Sequence, residues 1–216
     1  MSGRDTGRDT RRDTVRDTVR SRRTFLATVA AATGTLGVLT VGQSLGWLRG
    51  TNLFGPRVPA DGPQQLAVNR TAAAAQVEAL ANDPSWQLTV VGPGTTLSFG
   101  RDQLLGLPQT DSVLPISCVE GWSVSAHWRG VRVRDLLATV GAPAGAAVRV
   151  TSLEPEGVYR VTELPNEFVR HPTTLVALAL NGETLNLDHG YPARLIAPDR
   201  PGVLQTKWLS RLEVLA

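Results

Sequence analysis

The sequence predicts a mixed α+β domain in which strands predominate, preceded by one N-terminal hydrophobic helix. Three observations support this fold class. Short β-rich or alternating stretches recur along the chain, at 86–91, 112–118, 148–153, 158–162, 193–197 and 206–215. Stretches with helical character are fewer, at 71–81, 102–105 and 133–140. Neither a Gly-rich phosphate loop nor a strand–helix–strand alternation is found, which disfavours a Rossmann-type nucleotide-binding unit.

Turn and cap residues predict one further element, a hairpin, and support the helix at 71–81. Asn181-Gly182 separates 174–180 from 183–187, a pattern typical of a β-hairpin with a type I′ turn. Thr71 is placed to cap the first helix.

The positive charge of the chain is concentrated in its N-terminal tail. Residues 1–23 hold eight Arg and four Asp, whereas the remainder holds 14 basic and 15 acidic residues. Arg-Asp-Thr recurs every four residues over 4–18 with almost no apolar side chains, so 1–20 is predicted to be a disordered tail. Because the basic character does not belong to the domain, no nucleic-acid partner is expected.

Residues 21–50 resemble a twin-arginine export signal. Arg22-Arg23 precedes a stretch, 24–48, without any charged residue. A helix of that length exceeds the roughly 30 Å hydrocarbon core of a membrane. The arginines lie before it, which predicts delivery by the twin-arginine translocase and an extracytoplasmic domain. No clean small-x-small cleavage site follows, so the segment is either cleaved or retained as a membrane anchor.

The folded domain is predicted to begin after a linker. Residues 51–66 contain Gly55-Pro56, Pro59 and Gly62-Pro63 without periodicity, which is typical of a linker. The domain is therefore assigned to 67–216.

Two motifs in this domain resemble those of a known enzyme family. The first is Pro115-Ile116-Ser117-Cys118-Val119-Glu120-Gly121-Trp122-Ser123. The second begins with Asp188-His189-Gly190-Tyr191-Pro192-Ala193-Arg194 and continues to Lys207-Trp208. Together they resemble the molybdopterin-binding domain of the sulfite oxidase family, from about 69 to 216. The first motif is most similar to the branch that contains the catalytic subunit of the periplasmic protein-methionine-sulfoxide reductase. The resemblance implies a β-rich sulfite-oxidase-type fold, a molybdopterin cofactor and molybdenum.

The resemblance also implies a set of site residues. Cys118, the only cysteine of the chain, matches the family's catalytic metal ligand, and a soft thiolate suits such a metal. Arg194 and Lys207 match positions that contact the cofactor, and their charges suit its phosphate. The other predicted cofactor-binding residues are Asn69, Ser152, His189, Gln205 and Thr206. The aromatic candidates for the pocket are Trp122, Trp128 and Tyr159, whereas His127 and His171 are interpreted as structural.

Two departures from the sulfite-oxidising branch bear on the substrate. Glu120-Gly121-Trp122 stands where that branch has Asn-Arg-Arg, and Leu178 stands where it has a tyrosine near the metal. Because an oxyanion dianion needs positive charge around it, a neutral small S-oxide or N-oxide is the expected substrate of a two-electron oxygen-atom transfer. The chain has no haem motif, so a membrane or quinone-linked electron-transfer protein is the expected partner.

Two alternatives stay open. One is a sulfite-type dehydrogenase, and the other is a catalytically inactive, membrane-anchored binding domain of the same fold. The joint presence of Cys118, His189, Arg194 and Lys207 favours an enzyme.

Overall fold

Two five-stranded sheets form the domain in the computed structural model, which describes residues 62–117 and 123–215. The predicted tail 1–20, the export segment 21–50, most of the linker and Cys118 lie outside these residues. No helix within the described ranges is long and apolar enough to cross a membrane.

The regular elements are short. In chain order the strands are β1 (Gln87–Gly92), β2 (Thr95–Gly100), β3 (Thr110–Ser117), β4 (Ser123–Arg132), β5 (Val148–Ser152), β6 (Val161–Leu164), β7 (Leu175–Leu180), β8 (Glu183–Thr184), β9 (Arg194–Ile196) and β10 (Leu209–Val214). The helices are α1 (Glu78–Ala81), α2 (Arg101–Gly106), α3 (Val133–Ala138) and α4 (Asn166–Arg170). Single 3-10 turns lie at Pro63–Gln65, Leu187–His189 and Gly202–Leu204.

The strands form two sheets. The first has the order β2-β1-β10-β5-β6, in which β1 and β10 are parallel and the other pairs are antiparallel. The second has the order β3-β4-β7-β8, and β9 also pairs with β7. The sheet-rich α+β fold predicted from the sequence is therefore confirmed, whereas the N-terminal hydrophobic helix falls outside the described residues.

Strand β7 lies at the centre of the second sheet and is buried on both faces. Val176 and Leu178 belong to a core shared with β1, β5, β10 and α3. Leu175 and Ala177 face a second core, which the segment containing Leu66 covers. A strand buried on both sides is an unbroken apolar run, as Leu-Val-Ala-Leu-Ala-Leu is here.

The turn after β7 has the predicted geometry. Asn181 has a φ of 50° and Gly182 a φ of 83°, so both central residues are left-handed, as a type I′ turn requires. The Asn181 side chain also accepts a hydrogen bond from the His127 amide and donates one to the Gln64 carbonyl.

The helix predicted over 71–81 is largely wrong. Only Glu78–Ala81 is helical, because Gln76 takes a φ of 56° and interrupts the chain before it. Thr71 does cap the turn that lies before this helix, since the Thr71 Oγ1 accepts a hydrogen bond from the Ala74 amide at 3.2 Å. The Ala72 amide donates instead to the carboxylate of Asp188, a tertiary partner that the local sequence could not reveal.

Strand positions were also misjudged at three places. The strand predicted over 158–162 begins later, at Val161. Strand β2 was missed because its first four residues are all exposed and so carry no alternation. Strand β4 was missed because it contains Gly130, which resembles a breaker. A Cβ at that position would lie 2.1 Å from the Val176 carbonyl oxygen, so the bulge there requires glycine.

Candidate functional site

An open cleft of about 190 Å³ gathers most of the predicted cofactor-binding residues. Those that line it are Asn69, His189, Arg194, Gln205, Thr206 and Lys207. Ile116, near the end of β3, also lines the cleft and lies two residues before Cys118 in the sequence. Strand β3 thus reaches the cleft two residues before the predicted metal ligand in the sequence.

Lys207 enters the cleft just before β10. Its Nζ donates to the carbonyl oxygens of Arg70 at 2.6 Å and Asp188 at 2.8 Å. An ammonium has three N–H donors, so with these two described acceptors one donor is left for a ligand. Burial lowers the pKa of Lys207 to about 7, and the positive charge of Arg194 acts in the same direction.

Arg194 lies at the start of β9 and is 4% exposed. Its guanidinium donates to the carbonyl oxygens of His189 at 3.0 Å and Gln205 at 3.2 Å, while Nε is buried and has no partner in the part of the chain that the structure describes. Desolvation by burial lowers the pKa of Arg194 to about 9. The Arg194 guanidinium therefore links the segment that contains His189 to the segment that contains Gln205, and both segments line the cleft.

His189 is held in one protonation state by its surroundings. Burial lowers its pKa to about 4, and Arg194 and Lys207 lower it as well. The ring is therefore neutral at pH 7. Its Nε2 lies 2.6 Å from the Pro63 carbonyl oxygen, which can only accept, so Nε2 carries the proton and Nδ1 a lone pair.

Gly190 allows the two cations to converge. Its φ is 107°, in the left-handed region that favours glycine. A Cβ there would lie 3.0 Å from the Arg194 Cβ and 3.1 Å from the Lys207 Cβ. Position 190 of the Asp-His-Gly motif thus requires glycine for steric reasons.

Gln205 and Thr206 reach the cleft from the other side. The Gln205 side-chain Nε2 donates to the Arg200 carbonyl at 2.9 Å, and its buried Oε1 has no partner among the described residues. The Thr206 hydroxyl is 3.1 Å from that of Thr162 on β6. Ser152, by contrast, is not among the lining residues. Its hydroxyl donates to the Lys207 carbonyl at 2.9 Å, so it supports the lysine backbone.

Ser117, the last described residue before Cys118 in the sequence, contacts uncharged residues. The Ser117 hydroxyl is 3.0 Å from that of Ser123, and Ser117 forms a backbone bridge with Pro201. A Cβ on Gly202 would lie 3.1 Å from the Ser117 carbonyl oxygen, so a side chain there would crowd Ser117.

Several cleft residues were not predicted. Arg70 and Glu154 form an ion pair at 2.9 Å, and both line the cleft. They lie far apart in the sequence, where each resembles an ordinary surface charge. Val158 lines the mouth at 88% exposure, beside the predicted Tyr159 at 50%.

Other candidates lie elsewhere. Trp128 does not line the cleft but is fully buried. His127 pairs with Asp111 on the exposed face of the β3–β4 hairpin, and the His171 ring contacts Thr173, which agrees with structural roles. Leu178 packs in the first core, and Cys118, Glu120 and Trp122 lie outside the described residues.

The cleft fits an anionic ligand with many hydrogen-bonding groups. Neither Arg194 nor Lys207 forms an ion pair with a carboxylate within the described ranges. A buried charge without an opposite charge is costly, so the buried Arg194, with the partly buried Lys207 beside it, is suited to an anion that arrives from outside. The unpartnered Arg194 Nε and Gln205 Oε1 offer a buried donor and a buried acceptor beside it. A pterin ring that carries a phosphate has both kinds of group.

A protein-family model supplies the deciding observation. The model described as the oxidoreductase molybdopterin binding domain matches residues 74–216. The chain belongs to this family. Molybdopterin with molybdenum is the family's cofactor, so the predicted cofactor and the predicted class, a molybdopterin-dependent oxidoreductase, are confirmed.

Curated relatives of this molybdopterin-binding domain have related names. A protein of Azospira oryzae has the provisional name protein-methionine-sulfoxide reductase subunit YedZ1. It is 34% identical over 113 residues, which are 52% of this chain and 42% of that protein. Human mitochondrial sulfite oxidase is 28% identical over 164 residues, 73% of this chain and 28% of the enzyme. The chain therefore spans less than half the length of either relative.

A solved structure supports the fold. The crystal structure of the sulfane dehydrogenase SoxCD from Paracoccus pantotrophus matches with a TM-score of 0.54 and 26% identity. The match covers 61% of this chain and 38% of the other. The predicted resemblance to the sulfite oxidase family is thus confirmed by sequence and by structure.

Proposed function

We propose that this oxidoreductase acts outside the cytoplasm and transfers an oxygen atom from a small, neutral S-oxide or N-oxide. The observation that carries the proposal is a pair of cations beside His189, the buried Arg194 and the partly buried Lys207, which have no carboxylate partners in the described part of the chain. These residues would hold the phosphate and pterin of molybdopterin, with Asn69, Gln205 and Thr206 around them. Ser152 would act indirectly, through the backbone of Lys207.

Cys118 would bind the molybdenum. When bound, the cofactor supplies the two-electron chemistry that breaks the S–O or N–O bond. Two electrons and two protons enter, and the reduced substrate and water leave. The chain's own contribution is to orient the cofactor by fixed donors and to set the charge around the substrate.

The neutral substrate is supported by the charge distribution. Ser117, which precedes Cys118, contacts Ser123, Pro201 and Gly202, and all three are uncharged. The described cations of the cleft are instead bound to backbone carbonyls or to Glu154. An oxyanion dianion would need positively charged residues near Ser117, where the described contacts are uncharged.

Export and partnership complete the proposal. The twin-arginine segment 21–50 supports delivery of a folded chain to the extracytoplasmic face, with or without retention of the helix as an anchor. Electrons would come from a membrane or quinone-linked protein. The name of the Azospira relative, which describes a subunit, supports such an association.

The test combines metal analysis with turnover. The full chain would be produced in a host that makes the cofactor and exports through the twin-arginine route. Wild type would be compared with Cys118→Ala and with the control variant His171→Ala, whose site does not line the cleft. We expect about one molybdenum per chain in wild type and control, an altered molybdenum spectrum or metal loss in Cys118→Ala, and viologen-driven reduction of a sulfoxide or an amine N-oxide.

Other results would decide for the alternatives. Sulfite oxidation without oxide reduction would show a sulfite-type dehydrogenase. Folded wild-type protein without molybdenum would show an inactive binding domain.

A further inference from the structure

Trp208 lies beneath the only lysine of the chain. Lys207 is the single lysine among 216 residues, and its Nζ is 4.6 Å from the centroid of the Trp208 ring. A cation within about 6 Å of an aromatic face is attracted by the ring quadrupole, most strongly where water is excluded. Trp208 is fully buried and Lys207 is partly buried, so water is excluded from the ring side of this contact.

The backbone is arranged to make this contact. Side chains of successive residues in an extended chain normally point to opposite sides. Trp208 instead has a φ of 51°, a left-handed conformation that bulky residues rarely adopt. Its Nε1 donates to the Leu187 carbonyl at 2.7 Å, which fixes the plane of the ring. Backbone strain of this kind is found where function requires a particular geometry.

The acids near Lys207 are occupied by other groups. The charged residues that act on the ammonium are Arg194, Asp188, Glu154 and Arg70. The Asp188 carboxylate accepts from the Ala72 amide at 2.8 Å, and Glu154 pairs with Arg70. Two backbone carbonyls and one indole therefore hold the ammonium.

The same arrangement recurs at the second cation of the cleft. The Arg194 guanidinium carbon lies 5.1 Å from the ring centroid of Trp128, which is fully buried. The Trp128 Nε1 also donates to a backbone carbonyl, that of Leu114. Two cations that repel each other are thus each placed over an indole.

We propose that Trp208 is a positioning residue of the cleft, which keeps the Lys207 ammonium charged and in place without a carboxylate, so that its charge remains available to an incoming phosphate. The inference rests on the proposed cofactor site. An acid in place of the indole would hold the lysine more strongly, but it would neutralise the charge that the phosphate needs. The indole supports the cation through its quadrupole and leaves the net charge of the cleft unchanged.

The single lysine makes the test direct. The full chain, labelled with ¹³C-lysine and prepared in a host without the cofactor, gives one lysine side-chain signal, from which the Lys207 pKa is measured by NMR. The variants are Trp208→Leu, Trp208→Phe and the control Trp86→Leu. Trp86 is also a buried tryptophan whose Nε1 donates to a carbonyl, that of Leu209, but none of the described cations lies over its ring.

We expect Trp208→Leu to lower the Lys207 pKa by roughly one pH unit, Trp208→Phe to lower it by less, and Trp86→Leu to leave it unchanged. The same signal, titrated with inorganic phosphate at pH 7.5, should show roughly tenfold weaker binding in Trp208→Leu. An unchanged or raised pKa in both Trp208 variants, or an equal shift in Trp86→Leu, would overturn the proposal. If Trp208→Leu does not fold, the Phe variant decides alone. The proposed function fails separately, when folded wild-type protein from a cofactor-making host carries no molybdenum.

Discussion

The Nε2 of His189 donates a 2.6 Å hydrogen bond to the carbonyl of Pro63, a residue 126 positions earlier in the chain. This bond connects the first described segment of the chain to the 3-10 turn that carries His189. The segment then covers the second core with Leu66 and Ala67, which are 1% and 7% exposed. The cleft wall near His189 therefore depends on how firmly 63–67 is attached.

Gln64 provides most of that attachment, so Gln64→Ala should loosen it. The side chain donates to the carbonyls of Leu180 and Thr184 and accepts from the Asn186 amide at 2.8 Å. We expect the free energy of unfolding to fall by about 1–3 kcal/mol, together with faster amide exchange at 66–67. Gln65→Ala is the matched control, because Gln65 is also left-handed but its side chain makes none of these bonds. Equal effects of the two variants would contradict this assignment.

Gly190→Ala should disturb both cations together. A side chain at a φ of 107° costs about 1–2 kcal/mol, and the new Cβ would also crowd Arg194 and Lys207. Gly182→Ala is the control, since Gly182 also has a positive φ but no atom within 4 Å of its Cβ position. Thermal unfolding should show a larger loss for Gly190→Ala, and phosphate binding should weaken in that variant alone. If phosphate affinity survives the Gly190 change, this glycine does not shape the anion site.

The fold could be predicted where local chemistry determines it. Asn181-Gly182 is found in the type I′ turn because few residue pairs accept two left-handed conformations. Strand β2 could not be found, since among the described strands it pairs with β1 alone, at the edge of its sheet, and carries no buried face. The prediction of a helix over 71–81 was largely wrong because Gln76 takes a φ of 56° and only Glu78–Ala81 is helical.

The site shows the same division. Arg194, Lys207 and His189 were identified by their motif, and the structure brings them to one cleft. The Arg70–Glu154 pair was missed because nothing in either local sequence indicates the other. Trp128 was expected in the pocket lining but lies beneath Arg194, since it points inward from β4 to the second core.

Arg194→Lys should weaken anion binding although the charge is kept. One guanidinium joins the carbonyls of His189 and Gln205, whereas a single ammonium lacks the fixed fork that spans both. A lost hydrogen bond to a charged group costs about 1.5–3 kcal/mol, so phosphate affinity should fall roughly 10- to 100-fold. Isothermal titration with inorganic phosphate measures this, with the exposed Arg211→Lys as control. Unchanged affinity in Arg194→Lys would show that the fork is dispensable.

Lys207 should make the cofactor-free protein more stable as the pH rises above 7. Burial lowers the pKa of Lys207 to about 7 in the folded chain, from an ordinary value of 10.5. Between these values the unfolded chain binds the extra proton, so stability increases with pH, by up to about 1.4 kcal/mol per unit. The destabilising effect of the buried charge is fully present below pH 7 and is relieved towards pH 10.5.

Lys207→Met removes the titrating group and should remove this part of the slope. Urea unfolding between pH 6 and 9.5, at constant ionic strength, would give both curves. The slope is compared rather than the absolute stability, because the variant also leaves the Arg70 and Asp188 carbonyls without their donor. Parallel curves would mean that Lys207 stays charged throughout the range, held by its carbonyls and by Trp208 more strongly than its burial opposes the charge.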